Sequence, residues 1–232
     1  MSNKRVLVVV TNHSDYPTRD DETGLWFGEL IHFYDPFNKA GYTIDFVSPT
    51  GGAIPLDERS MGFLFVGKLE KAYLADAEFM AKLNASMTPD EVNPADYDAI
   101  YYTGGHGTMW DFPDNARLQA ISREIYENGG VISAVCHGVT GLLNITLSNG
   151  DYLIADRAVT GYSTREEILA GVKSQVPFLL EDELKARGAD YKKAFLPFRP
   201  FVQSQDRLVT GQNPQSTKAV AEAVLNVLTT TS

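Results

Sequence analysis

The segment Ala134-Val-Cys-His-Gly138 sets the chain's single thiol, Cys136, between small residues two positions before and two after it. Ahead of it, Val131-Ile-Ser-Ala-Val135 reads as a buried strand, and behind it Thr140-Gly-Leu-Leu143 can start a helix. That is the spacing of a nucleophile elbow. The strand-to-helix turn is so tight that flanking side chains would collide, which accounts for Ala134 and Gly138. Free N–H groups and the macrodipole at a helix N-terminus favour thiolate over thiol. A free cysteine in an α/β core is otherwise an inert small hydrophobe, and the elbow spacing tips the reading towards a nucleophile.

Such a nucleophile needs an acid–base partner and a place for negative charge. Gly104-Gly-His-Gly107 follows the apolar run Ala99-Ile-Tyr-Tyr102, at a C-terminal sheet edge where open α/β folds bind ligands. Its glycines let backbone N–H groups approach a substrate, and the amides of Gly105 and His137 can form an oxyanion hole facing the sulfur. The plainer reading is a Gly-rich turn. Glu29 has Leu25, Trp26 and Phe33 at the i−4, i−3 and i+4 positions of a helical pattern. A carboxyl among apolar neighbours is partly desolvated, so its pKa rises and it can shuttle protons near neutrality. The alternative is a solvated Glu at the edge of an amphipathic helix. His137 requires a carboxylate, and Thr164-Arg-Glu-Glu167 offers Glu166 and Glu167, although acids in a first helical turn are common for dipole reasons alone. His106 is read as fixing its loop by hydrogen bonds rather than binding metal, and His13 and His32 are too isolated to interpret.

The scaffold follows from hydrophobic periodicity. Residues 5–10, 43–47, 99–102 and 131–135 are short apolar runs suited to parallel strands buried on both faces, with later strands expected at 158–160, 190–193 and 208–210. Helical patterns cover 24–39, with Pro36 expected to kink or break it, and 115–128, 177–187 and 214–228. Alternation at this spacing predicts βαβ units: a flavodoxin-like three-layer α/β/α sandwich with a mostly parallel sheet. Residues 54–96 are the least readable stretch, with an apolar segment at 61–66 and a helix at 76–83, and are expected to form an insertion at one end of the sheet. Residues 195–201, rich in Phe and Pro, should be an ordered irregular loop.

Composition narrows the function. With 20 Lys and Arg against 30 Asp and Glu the formal charge is −10, which argues against a nucleic-acid binder held by phosphate neutralisation. At 232 residues the length suits one α/β domain, 1–232. The run 6–10 is too short for a signal h-region or a membrane span. One cysteine precludes an intramolecular disulfide and a thiolate-rich metal cluster, no H-E-x-x-H occurs, and no dedicated metal site is expected. A reducing cytoplasm is the simplest compartment.

The motifs Val8-Val-Val-Thr-Asn12, Thr23-Gly-Leu-Trp-Phe-Gly-Glu29, Gly104-Gly-His-Gly-Thr108 with Asp111-Phe-Pro113, Ala134-Val-Cys-His-Gly138 and Leu208-Val-Thr-Gly-Gln-Asn-Pro214 run in order from residue 5 to about 228. On these the chain resembles the PfpI/Parkinson-protein-7 superfamily of class I glutamine-amidotransferase-like proteins, and within it the heat-shock-protein-31-like, glyoxalase III branch. The resemblance implies Cys136 as nucleophile, Glu29 as the acid beside its sulfur, His137 as the imidazole, Glu167 as the carboxylate orienting it, and Gly105 and His137 as backbone donors. Val139 stands where a proline is usual, Thr164 where an acid is usual, and residues 195–201 differ from the family's Trp-rich loop.

The implied chemistry is cofactor-free, metal-free conversion of methylglyoxal or a related 2-oxoaldehyde to a 2-hydroxy acid such as D-lactate. The implied partner set is a small substrate and a second copy in a homodimer, with neither nucleic acid nor membrane. Relatives with this fold also act as cysteine peptidases or amidases, as protein deglycases, or as stress chaperones that hold unfolded clients.

Overall fold

The computed structural model describes residues 4–230. Their strands and helices, in chain order, are β1 (Arg5–Val9), α1 (Phe27–Lys39), β2 (Thr43–Val47), α2 (Lys68–Ala75), α3 (Ala77–Leu83), β3 (Ala99–Tyr102), α4 (Thr108–Asp111), α5 (Ala116–Glu127), β4 (Val131–Val135), β5 (Ala158–Val159), α6 (Thr164–Leu169), α7 (Leu180–Ala186), β6 (Asp190–Tyr191), β7 (Val202–Gln205), β8 (Leu208–Gly211) and α8 (Thr217–Thr230). The main sheet has the order β2-β1-β3-β4-β8-β7, parallel except for β7 against β8.

Adjacent residues of β3 show the layering. The Tyr101 ring stacks on Phe33 of α1 at 3.7 Å and its hydroxyl donates to the Glu29 carbonyl oxygen. Tyr102 points to the other face, where its hydroxyl meets Leu118 and Ser122 of α5. Helix α8 packs beside α1. The central strands are therefore enclosed on both faces, as their largely apolar sequences require, and this is a flavodoxin-like α/β/α sandwich.

Several elements depart from the periodicity. Helix α1 starts at Phe27, three residues later than the pattern predicts, because Leu25 donates its N–H to the Pro55 carbonyl and Gly24 adopts φ +149°. It continues through Pro36, which sits in the last turn, where its missing N–H removes a single intrahelical bond. Strands β5 and β6 pair with each other in a separate two-stranded sheet instead of extending the main one. Strand β7, Val-Gln-Ser-Gln, carries no apolar run to announce it; the turn Asp206-Arg207, with Asp206 at φ +53°, folds it back along β8. The sequence after Cys136 forms a 3-10 segment, Cys136–Leu142, where a helix was expected.

The stretch 54–96 holds α2 and α3 and lies against α1 and the β2 edge, where Val47 bridges to Met87. Asp76 caps α3 by accepting from the Glu78 and Phe79 amides. Among the described residues no helix is long and apolar enough to cross a membrane.

Candidate active site

Strands β3 and β4 are neighbours in register, Tyr102 opposite Ala134, so the Gly-rich loop after one and Cys136 after the other emerge side by side. Cys136 has φ +56°, a strained value for a non-glycine residue, and is almost fully buried. The crowding expected around it is real: a Cβ on Gly138 would lie 2.2 Å from the Thr103 carbonyl oxygen, and one on Gly104 would lie 2.3 Å from Glu29 Oε2 and 2.9 Å from Cys136 Cβ. Gly105, at φ +104°, packs so closely on Gly24 and Trp26 that a Cβ would meet the Gly24 oxygen at 2.0 Å.

On one side of the sulfur stands Glu29, fully buried on α1, with neither carboxyl oxygen reaching a well-formed hydrogen bond. Burial pushes this carboxyl up to about 8, against the lowering influence of the Cys136 thiol and the Gly104 amide that face it. Cys136 is shifted upward too, by burial first and then by the charge of Glu29, while the His137 amide pulls the other way. This corrects the expectation that the turn alone yields a thiolate: desolvation and a neighbouring carboxylate outweigh the amide. The two groups are coupled, because a proton on Glu29 removes the charge that opposes ionisation of the sulfur.

On the other side His137 presents Nδ1 to Sγ at 3.5 Å, and its Nε2 lies 2.7 Å from Glu167 Oε2. The second oxygen of Glu167 lies 2.8 Å from His106 Nε2. His106 Nδ1 faces Arg59 Nη2 at 2.8 Å. A guanidinium has only donors, so Nδ1 accepts and the His106 proton sits on Nε2, donating to Glu167. Burial and the neighbouring His137 lower His106 to about 4. Burial on its own would raise Glu167, but the charges and hydrogen bonds of the two imidazoles outweigh it and hold the carboxyl well below the usual range. Glu166 turns away, binding Ser163, Gln212, Asn213 and the Phe198 amide.

The ligand atoms of His106, His137 and Glu167 lie within 4.8 Å of one another, a spacing that can suit a cation. The geometry is instead that of two ring N–H groups on separate oxygens of one carboxylate, with the Arg59 cation opposing a second positive charge. Cys136, His137, His106 and Gly105 share a cavity of about 370 Å³.

A sequence model of the DJ-1/PfpI family matches residues 27–227. The chain belongs to the DJ-1/PfpI family. Glutathione-independent glyoxalase HSP31 of Saccharomyces cerevisiae is 35% identical, the alignment covering 98% of this chain and 99% of the relative. Among solved structures, rapid encystment protein 24 kDa of Francisella tularensis superposes with a TM-score of 0.92 at 40% identity, covering 97% of this chain and 98% of that one. Glyoxalase III of Candida albicans gives 0.91 at 30% identity, again covering 97% and 98%.

In this DJ-1/PfpI protein, sequence reasoning missed Arg59, Phe65, Tyr162 and Phe198, which all line the cavity. Arg59 and Phe65 lie in the stretch without clear periodicity, and nothing in their spacing announces a site. His13 stacks on Trp110 and His32 pairs with Glu70, and neither lines the cavity.

Proposed function

We propose that this protein is a glutathione-independent, cofactor-free glyoxalase of the glyoxalase III type, converting methylglyoxal or a related 2-oxoaldehyde to the 2-hydroxy acid. The observation that carries this reading is Cys136 Sγ held between the buried carboxyl of Glu29, which burial raises to about 8, and Nδ1 of a Glu167-anchored His137.

His137 Nδ1 takes the thiol proton as Sγ bonds to the aldehyde carbon C1, and the carbonyl pair moves onto oxygen, facing the amides of Gly105 and His137. Glu29 protonates that oxygen, giving a hemithioacetal. Glu29, now a carboxylate, removes the C1 hydrogen as a proton while His137 protonates the C2 oxygen, forming an enediol. Return of the proton from Glu29 to C2, with loss of the C1 hydroxyl proton to His137, leaves a thioester. Water cleaves it, releasing the acid and the thiol. C1 is oxidised as C2 is reduced, so no external redox partner is needed.

Glu167 holds His137 in the tautomer that leaves Nδ1 free to accept. The test is chiral analysis of lactate from methylglyoxal and purified protein without added thiol; stoichiometric D-lactate is expected. A second reading, client holding, draws on Phe63 and Phe195, exposed at 89% and 92%. Suppression of client aggregation with no aldehyde consumed favours that reading, and peptide cleavage would favour a hydrolase.

A further inference from the structure

Resting on the glyoxalase reading, we infer that the site's preferred substrates are 2-oxoaldehydes bearing a bulky, uncharged apolar group, aryl above all, and not the methyl-bearing member. A cavity of about 370 Å³ falls within the range of pockets that enclose much larger ligands, and a methyl group beside Cys136 leaves most of it to water.

Much of the lining is aromatic and comes from separate segments. Trp26 and Phe65 meet edge to face with ring centroids 5.1 Å apart, and Phe198 lies 6.4 Å from Tyr162. Phe198 is placed there at a cost: its φ is +58°, in the left-handed region, and its N–H is held by the buried carboxylate of Glu166 at 2.8 Å. Phe65 and Phe198 nevertheless keep 46% and 38% of their surface exposed, so both offer aromatic area to an occupant. An aryl ring meets such walls in the edge-to-face and offset geometries aromatic pairs prefer.

Charge points the same way. Arg59 is the only acidic or permanently cationic side chain in the lining; its Nη2 is engaged by Asp57, Tyr16 and His106, and its Nε is buried without a partner. The buried Asp57 carboxylate beside that guanidinium offsets the one permanent charge of the lining, which weakens recognition of a carboxylate on the substituent.

The test compares phenylglyoxal with methylglyoxal on the purified protein, following 2-hydroxy acid formation, each rate normalised to that aldehyde's addition to a small free thiol. Burying the ring should raise kcat/KM about 10- to 50-fold, mainly through KM, since the contact is made equally in ground and transition states. In Phe198→Ala and Phe65→Ala the phenyl-to-methyl ratio should fall at least about fivefold by the same argument. Phe65 lies in an exposed loop, so its variant keeps the test decisive if the Phe198 variant misfolds. A wild-type ratio near unity, or a ratio unchanged in both variants, overturns the inference while leaving glyoxalase chemistry intact. Failure to consume either aldehyde overturns the underlying reading and the inference with it.

Discussion

Replacing Glu29 with Gln should make the protein more stable at pH 8 while disabling it. The Glu29 carboxyl is sealed in the core, and burial raises it from an ordinary 4.5 to about 8. Between those values the unfolded chain has released the proton and the folded chain still holds it, so this group's contribution to stability falls as pH rises through the window. At 1.36 kcal/mol per pKa unit the ceiling is about 5 kcal/mol, and relaxation around the site leaves about 2–4 kcal/mol to be measured. Glutamine is near-isosteric and neutral throughout, so it escapes the penalty. Urea unfolding of both proteins at pH 5, 6, 7 and 8 should show a small difference at pH 5 that grows steadily in favour of the variant. A constant difference, or a wild type that gains on the variant as pH rises, would refute the reasoning, because it would mean the ionised carboxylate is stabilised in the fold. Turnover should fall about 10²- to 10⁴-fold; turnover close to wild type would move the proton shuttle to His137.

Gly105→Ala should destabilise the protein by about 2–5 kcal/mol and impair turnover, since both the positive φ and the 2.0 Å approach to Gly24 must give way; an unchanged thermal midpoint contradicts this. The His106–Glu167 pair should confer acid sensitivity. His106 is lowered from 6.5 to about 4, so its contribution is complete above about pH 6.5 and is lost as pH falls towards 4; that of Glu167, held below its ordinary 4.5, is lost only at pH below that value. His106→Asn should flatten the slope of stability against pH across that window, and a slope parallel to wild type counts against the assignment.

The parts of this fold that sequence makes legible are those whose burial is written locally. Strands β1, β3 and β4 are apolar on both faces, and Ala134 and Gly138 mark the turn because backbone contacts exclude larger side chains. Spacing also pointed to the desolvation of Glu29 through Leu25, Trp26 and Phe33. Spacing alone leaves Glu166 and Glu167 level and the family resemblance favours Glu167; the fold directs Glu167 to His137 and Glu166 to Gln212 and Asn213. Edge strand β7 and helix α2 escaped notice because their partly exposed residues carry little hydrophobic signal. Arg59 was invisible for another reason: its role depends on His106, 47 residues away. The raised thiol pKa is likewise a property of packing, since Glu29 reaches the sulfur only when α1 lies on the sheet.

The most direct test of the account is turnover of methylglyoxal by Cys136→Ser, measured as D-lactate without added thiol on a preparation whose unfolding midpoint matches wild type. Serine is close in size to cysteine, so folding is expected to persist. A hydroxyl, however, ionises too weakly for the same adduct to form, and the rate should fall on the order of 10³-fold or more. D-lactate formation at a rate near wild type would contradict the covalent mechanism.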